Sequence, residues 1–388
     1  MKTDSLVITL REKFPHTNIS YKHKPIGGFQ IPDLSRTVLH DVYQENPDLI
    51  IFHAYGGIEE GLYDQFIKNI RNRLSSDILL LDHHYVWNVP QRKLDKINQS
   101  HDEDSRAIKE IAKKYSCGFV NVREQWRAYM IANNIEANEL MGNTKDPNVH
   151  PNDKGNELLR KIVLSAFDNK PKQLYTIRKD SLRESFFMNA STLKEKFKVN
   201  ANLVEIKGKG QIDTPVFEVL IDGKKPSTIK SSYHISRPSK GFQSWMPAIK
   251  NISLGTKFPQ DEQWTITIFN INRETKTYDF KLEGSKTGFD GKGNSREDFI
   301  SNSQRIVIKR QDHNIFNIER ILKNKTPEDY KVYFGVEQIV KDTIKMRNSK
   351  QKHLVLRTDY LGKHEISLNL ITGSFQDLEI MTFKPFIN

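Results

Sequence analysis

The rhythm of apolar positions changes once along the chain, near residue 170. Before that point, short apolar runs at 18–21, 48–52, 77–81 and 118–122 suit strands buried on both faces. Between them, residues 6–14, 34–43, 63–74, 104–115 and 156–167 place apolar side chains at helical spacing. Strand and helix in alternation predict a parallel sheet with helices on both faces, an α/β fold. In such sheets ligands sit beyond the carboxyl ends of the strands. The segments that follow those ends are 24–30, 53–60, 82–90 and 142–153, and the chemistry is sought there.

Past residue 172 the pattern becomes many short β-branched and aromatic runs, at 184–188, 203–207, 216–221, 264–270, 277–282, 305–309, 330–335, 354–358, 365–370 and 378–383. Turn signals such as Asp222-Gly223, the glycines of 288–293, Gly362 and Thr372-Gly373 separate many of them. That texture predicts an antiparallel β-sandwich. The expected domains are 1–172, α/β, and 173–388, a sandwich that could bind carbohydrate. At 388 residues the chain has room for both, since a domain averages about 150.

Charge separates the halves further. Residues 1–172 balance to +1, whereas 173–388 carry +11 of the total +12. A basic surface attracts polyanions. No helix-turn-helix, zinc-finger or RNA-binding signature accompanies it, so nucleic acid is not expected and an anionic glycan is the alternative. One cysteine, Cys117, excludes an internal disulfide framework and a cysteine-rich metal site. No apolar run approaches the roughly 20 residues that span a bilayer, so no membrane association is expected. No cofactor motif is present, and neither compartment nor oligomeric state follows from the sequence.

The sharpest local motif is Asp146-Pro-Asn-Val-His150-Pro-Asn-Asp153-Lys-Gly155, running into the apolar helix 156–167. It places an imidazole at a helix N-terminus, with Asn152 or Asp153 as the cap. A histidine so placed can act as a general base if a carboxylate orients its other nitrogen, and Asp146 is the nearest upstream candidate. Asp82-His83-His84 follows a strand and invites a metal reading. Adjacent histidines diverge, however, and no third ligand is evident, so no metal is expected and cleft lining or a plain loop is the alternative. Asp290 to Asp298 lacks the regular spacing of a calcium loop and reads as a turn between strands. Trp264 reads as core, and Trp245 as core or as a stacking platform for sugar rings.

With these residues in view, the first 168 resemble the SGNH/GDSL hydrolases, serine esterases on a flavodoxin-like three-layer sheet. The Asp146/His150-Pro-Asn block is similar to that family's last block. Pro25-Ile-Gly-Gly28-Phe looks like the second, and the run from Pro47 to Gly56 looks like the strand entering the third. The resemblance implies acyl transfer on an acylated sugar or polysaccharide, the activity of a carbohydrate O-acetylesterase. It casts His150 as base, Asp146 as its orienting partner and the N–H groups of Gly28 and Gly56 as oxyanion donors. His53, Tyr55, Asp82 and His83 become candidates for lining the cleft. Residues 233–247 likewise look like the sandwich appended to some bacterial members.

Three departures stand against this pattern. The family's Gly-Asp-Ser block is not found, and Asp4-Ser5 opens a helix rather than following a strand. Gly56-Gly57-Ile58 supplies no asparagine where the third block has one. Asp146 and His150 are four apart rather than the family's three. Loss of the strand that carries the serine would also uncover strand edges and apolar area. The expectation is therefore an SGNH-type carbohydrate esterase whose N-terminal strand and serine lie upstream, so that the chain as given is inactive. The alternative is a non-catalytic hydrolase fold joined to a glycan-binding sandwich.

Overall fold

The structure, a computed structural model, describes residues 3–85, 91–143, 146–168, 182–194, 196–238 and 246–386. In its first part the elements run α1 (Thr3–Lys13), α2 (Ile31–Asp41), β1 (Leu49–Phe52), α3 (Leu62–Arg71), β2 (Asp77–Leu81) and α4 (Gln91–Lys114). Then come β3 (Gly118–Val120), α5 (Val122–Asn133), β4 (Met141–Asn143), β5 (Asp146–Pro151) and α6 (Asp153–Ser165). By their contacts the residues form two units. One comprises Met1–Pro25, Pro47–Lys68 and Ser76–Ile177; the other comprises Ile26–Asn46, Asn69–Ser75 and Arg178–Asn388.

In the first unit β1, β2 and β3 make a parallel sheet with β2 in the middle. The central strand, Asp77-Ile-Leu-Leu-Leu81, is buried at every position after the first, as a strand covered on both faces must be. Leu79 and Leu81 join Leu6 and Leu10 of α1, Trp126 of α5, and Leu158, Ile162 and Val163 of α6 in one apolar cluster. The short run 18–21, expected as a strand, forms no regular element and pairs with no strand among the described residues. Four residues, two of them polar, give it little to bury.

The second unit is largely antiparallel. Its strands are β6 (Arg183–Asn189), β7 (Phe197–Ile221), β8 (Tyr233–Ile235), β9 (Ser253–Leu254), β10 (Glu262–Asn272), β11 (Thr277–Gly284) and β12 (Gly288–Asn294). They are followed by β13 (Phe299–Ile300), β14 (Ile306–Ile308), the helix α7 (Ile315–Leu322), β15 (Tyr330–Gln338), β16 (Thr343–Lys345) and β17 (His353–Phe383). One sheet orders β12-β11-β10-β15-β8, a second β13-β14-β9, and a third β16-β7-β17-β6.

Alternation decides the faces of the first of these sheets. Trp264, Ile266 and Ile268 of β10 point into a core with Phe280 and Leu282 of β11 and Val332, Phe334 and Val336 of β15. Trp264 lies parallel to Phe334 with ring centres 6.2 Å apart, so its expected core placement holds. A separate core is built by β7 and β17. β17 runs antiparallel to β7 twice, its first half along 197–206 and its second along 203–221. Residues 203–206 are thereby paired on both edges, Ile206 lying opposite His353 on one side and Ile380 on the other.

The glycine-rich 288–294, expected as a turn, is strand β12. Its Asp290 is buried and accepts hydrogen bonds from the Ser303 N–H and hydroxyl, both at 2.7 Å. Cys117 is fully buried. No helix of the described residues is long and apolar enough to cross a membrane. Trp245 lies outside the described residues.

Candidate active site

The carboxyl ends of β1 and β2 carry a cluster of polar and titratable side chains. Beyond Phe52 the chain presents His53 and Tyr55, then turns through Gly56 and Gly57, whose φ values of 73° and 74° are left-handed and suit glycine. The Gly57 carbonyl accepts from the Tyr63 N–H at 2.8 Å at the start of α3. Beyond Leu81 come Asp82, His83 and His84, all buried. The helix α4 adds His101, Asp102, Asp104 and Ser105.

These side chains form a stacked polar cluster. Tyr55 lies nearly parallel to His83, 19° between planes and 4.1 Å between centres. His53 and His101 meet His83 at steep angles, with centres 5.2 and 4.9 Å away. His53 Nε2 is 3.2 Å from His83 Nδ1. His83 Nε2 faces Asp104 Oδ2 at 3.5 Å. His83 Nε2 and His101 Nδ1 are buried and have no hydrogen-bond partner among the described residues.

Burial sets the protonation of this cluster. It is the main cause that depresses His83 to about 3, and His84 and Arg123 add to it. His101 is held at about 4 by burial, then by His83 and Arg123. His53 is exposed as a residue, yet its imidazole lies well below the ordinary 6.5. Crowding by protein comes first among the causes, followed by the imidazoles of His83, His84 and His101. The imidazoles are therefore neutral at pH 7. Burial raises the Tyr55 phenol to about 12 and pushes Asp104 upward.

Asp82 looks inward. It accepts from the Ser105 hydroxyl at 2.5 Å and from the Arg123 N–H at 3.1 Å, which ties it to the start of α5. Arg123 is itself buried. It donates through Nε to Asp102, through Nη1 to the His84 carbonyl at 3.1 Å, and through Nη2 to the Asn98 carbonyl and side-chain oxygen at 2.9 and 2.8 Å. Its guanidinium lies over the Tyr85 ring at 4.3 Å, and Arg127 lies over the same ring at 4.6 Å. Asp102 also accepts from Arg127 at 2.8 Å.

His150 is exposed in β5, just ahead of α6, and burial, with Arg123 after it, holds the neighbouring His84 at about 4. Asn152, not Asp153, caps α6: its side-chain oxygen accepts from the Gly155 N–H at 3.0 Å. Its amide donates to the Glu139 carbonyl at 2.8 Å, and its own N–H donates to the Leu140 carbonyl at 3.0 Å. Gly155 is required by proximity. A Cβ built there would stand 2.1 Å from the Leu140 oxygen and 2.9 Å from Pro151 Cβ.

The first unit is an α/β fold, a parallel sheet with helices packed on it. The chain is similar to a solved catalytic mutant of an acetylxylan esterase from Geobacillus stearothermophilus, at 18% identity over 43% of this chain and 80% of that one, with a TM-score of 0.37. It is also similar to a GDSL-like lipase from Parabacteroides merdae, at 16% identity, 42% and 80% coverage and TM-score 0.35. A third is an α/β hydrolase enzyme from the metagenome of Lake Arreo, Spain, at 18% identity, 42% and 79% coverage and TM-score 0.35. No family model matches the chain, and no curated protein does.

Of the residues singled out from sequence, the first unit contains His53, Tyr55, Gly56, Asp82, His83, Asp146 and His150. His53, Tyr55 and His83 stand in mutual contact. Asp146 pairs with Asn143 through the backbone of β4 and β5. Gly28 groups with the second unit, where it lies against Ile321 with a φ of 74°. Among the described residues no group of three or more His, Cys, Asp or Glu could hold a metal ion. Sequence reading passed over His101, Asp104 and Arg123. Arg123 carried a usable signal: Asn121 and Glu124 have the spacing of a helix start, and Asn121 does accept from the Glu124 N–H at 3.0 Å.

Proposed function

We propose that the carboxyl edge of the first unit's sheet is an ester-cleaving site of SGNH type. Its substrate would be an acylated sugar or polysaccharide, the class for which the Geobacillus enzyme is named. The observation that carries this reading is His150, exposed at the mouth of α6 on a helix start fixed by Asn152 and Gly155. In this reading His150 takes the proton of the attacking hydroxyl, Asp146 orients it, and the Gly56 N–H faces the developing oxyanion. His53, Tyr55 and His83 would line the acyl pocket.

No Gly-Asp-Ser occurs in the 388 residues. By the serine route the attacking hydroxyl would belong to the serine of such a block. In a form that includes a Gly-Asp-Ser strand, His150→Ala should lower kcat/KM for an acetylated xylo-oligosaccharide by about a hundredfold or more. Unchanged turnover would remove His150 from the mechanism.

The charge of residues 173–388 favours a second role, retention of an anionic glycan by the sandwich. Affinity for polygalacturonate should then fall steeply between low and physiological salt. Binding indifferent to ionic strength would exclude this role.

A further inference from the structure

We infer that His53 is a second base at this rim, held by His83 and Asp104, and that it can activate water directly against an acyl carbon without a serine. Its dependence on the preceding reading is limited to the choice of an ester as substrate.

Proton placement follows from the contacts. A neutral imidazole carries one N–H and one bare nitrogen. His83 Nε2 is buried with no hydrogen-bond partner among the described residues, and the group facing it is the Asp104 carboxylate at 3.5 Å. A bare nitrogen there would set its lone pair against a carboxylate oxygen, so the proton belongs on Nε2. Such separations commonly shorten when a substrate closes the site. His83 Nδ1 is then bare and accepts, so His53 Nε2, 3.2 Å away, donates to it. That leaves His53 Nδ1 without a proton. The described residues give it no other hydrogen bond, and the residue is exposed. Tyr55, stacked on His83, fixes the plane of the middle ring.

The step balances with water as the only co-reactant. His53 Nδ1 takes a proton from water while the water oxygen bonds to the acyl carbon. The bond from that carbon to the alcohol oxygen then breaks, and the leaving oxygen recovers the proton from the imidazolium. An ester and water become a carboxylic acid and an alcohol. While His53 is charged, the Asp104 carboxylate stabilises it through His83. His53 touches the reacting water; His83 and Asp104 position it.

The test uses the 388-residue chain with p-nitrophenyl acetate as probe. Turnover above the buffer rate is expected, and His53→Gln should reduce it by about a hundredfold, the usual contribution of a general base. His53 is exposed, so this variant leaves the core intact. Long-range proton–nitrogen NMR of the unmodified chain reads the arrangement without any assay. It should show His53 protonated on Nε2, with the preference weakened in Asp104→Ala. A proton on His53 Nδ1, no turnover by the chain, or turnover unchanged in His53→Gln would each overturn the inference. Those results leave the serine route standing, because that route is read only in the form carrying Gly-Asp-Ser.

Discussion

Gly155→Ala is expected to destabilise the first unit by roughly 3 kcal/mol, the upper end of the cost of forcing one carbon into a filled space. Neither neighbour can yield cheaply. The Leu140 carbonyl, 2.1 Å from the new carbon, is backbone and already accepts from the Asn152 N–H. Pro151, 2.9 Å away, is a ring in the strand that carries His150. Relief would have to come from moving α6 off β4, which breaks the cap that Asn152 makes to the Gly155 N–H. For a unit of this size a loss of about 3 kcal/mol lowers the melting temperature by roughly 10 °C. Calorimetry would follow it as a shift of one transition while the other holds. An unshifted thermogram would show that Leu140 retreats freely and that the glycine is dispensable.

Arg123→Leu is expected to cost about 3–5 kcal/mol, the penalty for breaking a buried ion pair from one side. The leucine fills part of the volume but leaves the His84 and Asn98 carbonyls without their donor and Asp102 with Arg127 alone. Denaturant titration should show the midpoint falling with little change in slope. Acid dependence gives a second readout. Burial pushes Asp102 up, yet the hydrogen bonds from Arg123 and Arg127 outweigh it and hold the carboxyl below the ordinary aspartate range. Its stabilising share is present above the unfolded-state pKa and is lost as pH falls through the folded value. The variant should therefore lose less stability on acidification than the parent protein. A variant as stable as the parent would mean that water replaces the guanidinium.

The two mutations touch residues of unequal legibility. Gly155 sits inside a local motif, since helix caps are short-range devices and the letters from His150 to Gly155 describe one. The strand β2 is equally plain, because a strand buried on both faces has to be apolar throughout. Arg123, His101 and Asp104 became visible only in space. They come from α4 and α5, where each reads as an ordinary polar residue of a surface helix, and tertiary contact alone turns them toward Asp82 and His83. The run at 288–294 misled for a related reason. Its glycines suggest a turn, but the backbone pairs with β11, and the aromatic rings of Phe280 and Phe299 fill the space beside Gly293.

The double pairing of β7 also orders events in time. Residues 203–206 obtain one neighbour only after residues 353–357 exist, and the other only after 380–383. Until then a long strand with one apolar face leaves the ribosome with both margins bare, the condition in which strands find wrong partners. Closing so distant a pairing is entropically costly and slow. The second unit should thus mature late, after nearly its whole length has been synthesised, whereas the parallel sheet of the first can assemble from its own 120 or so leading residues.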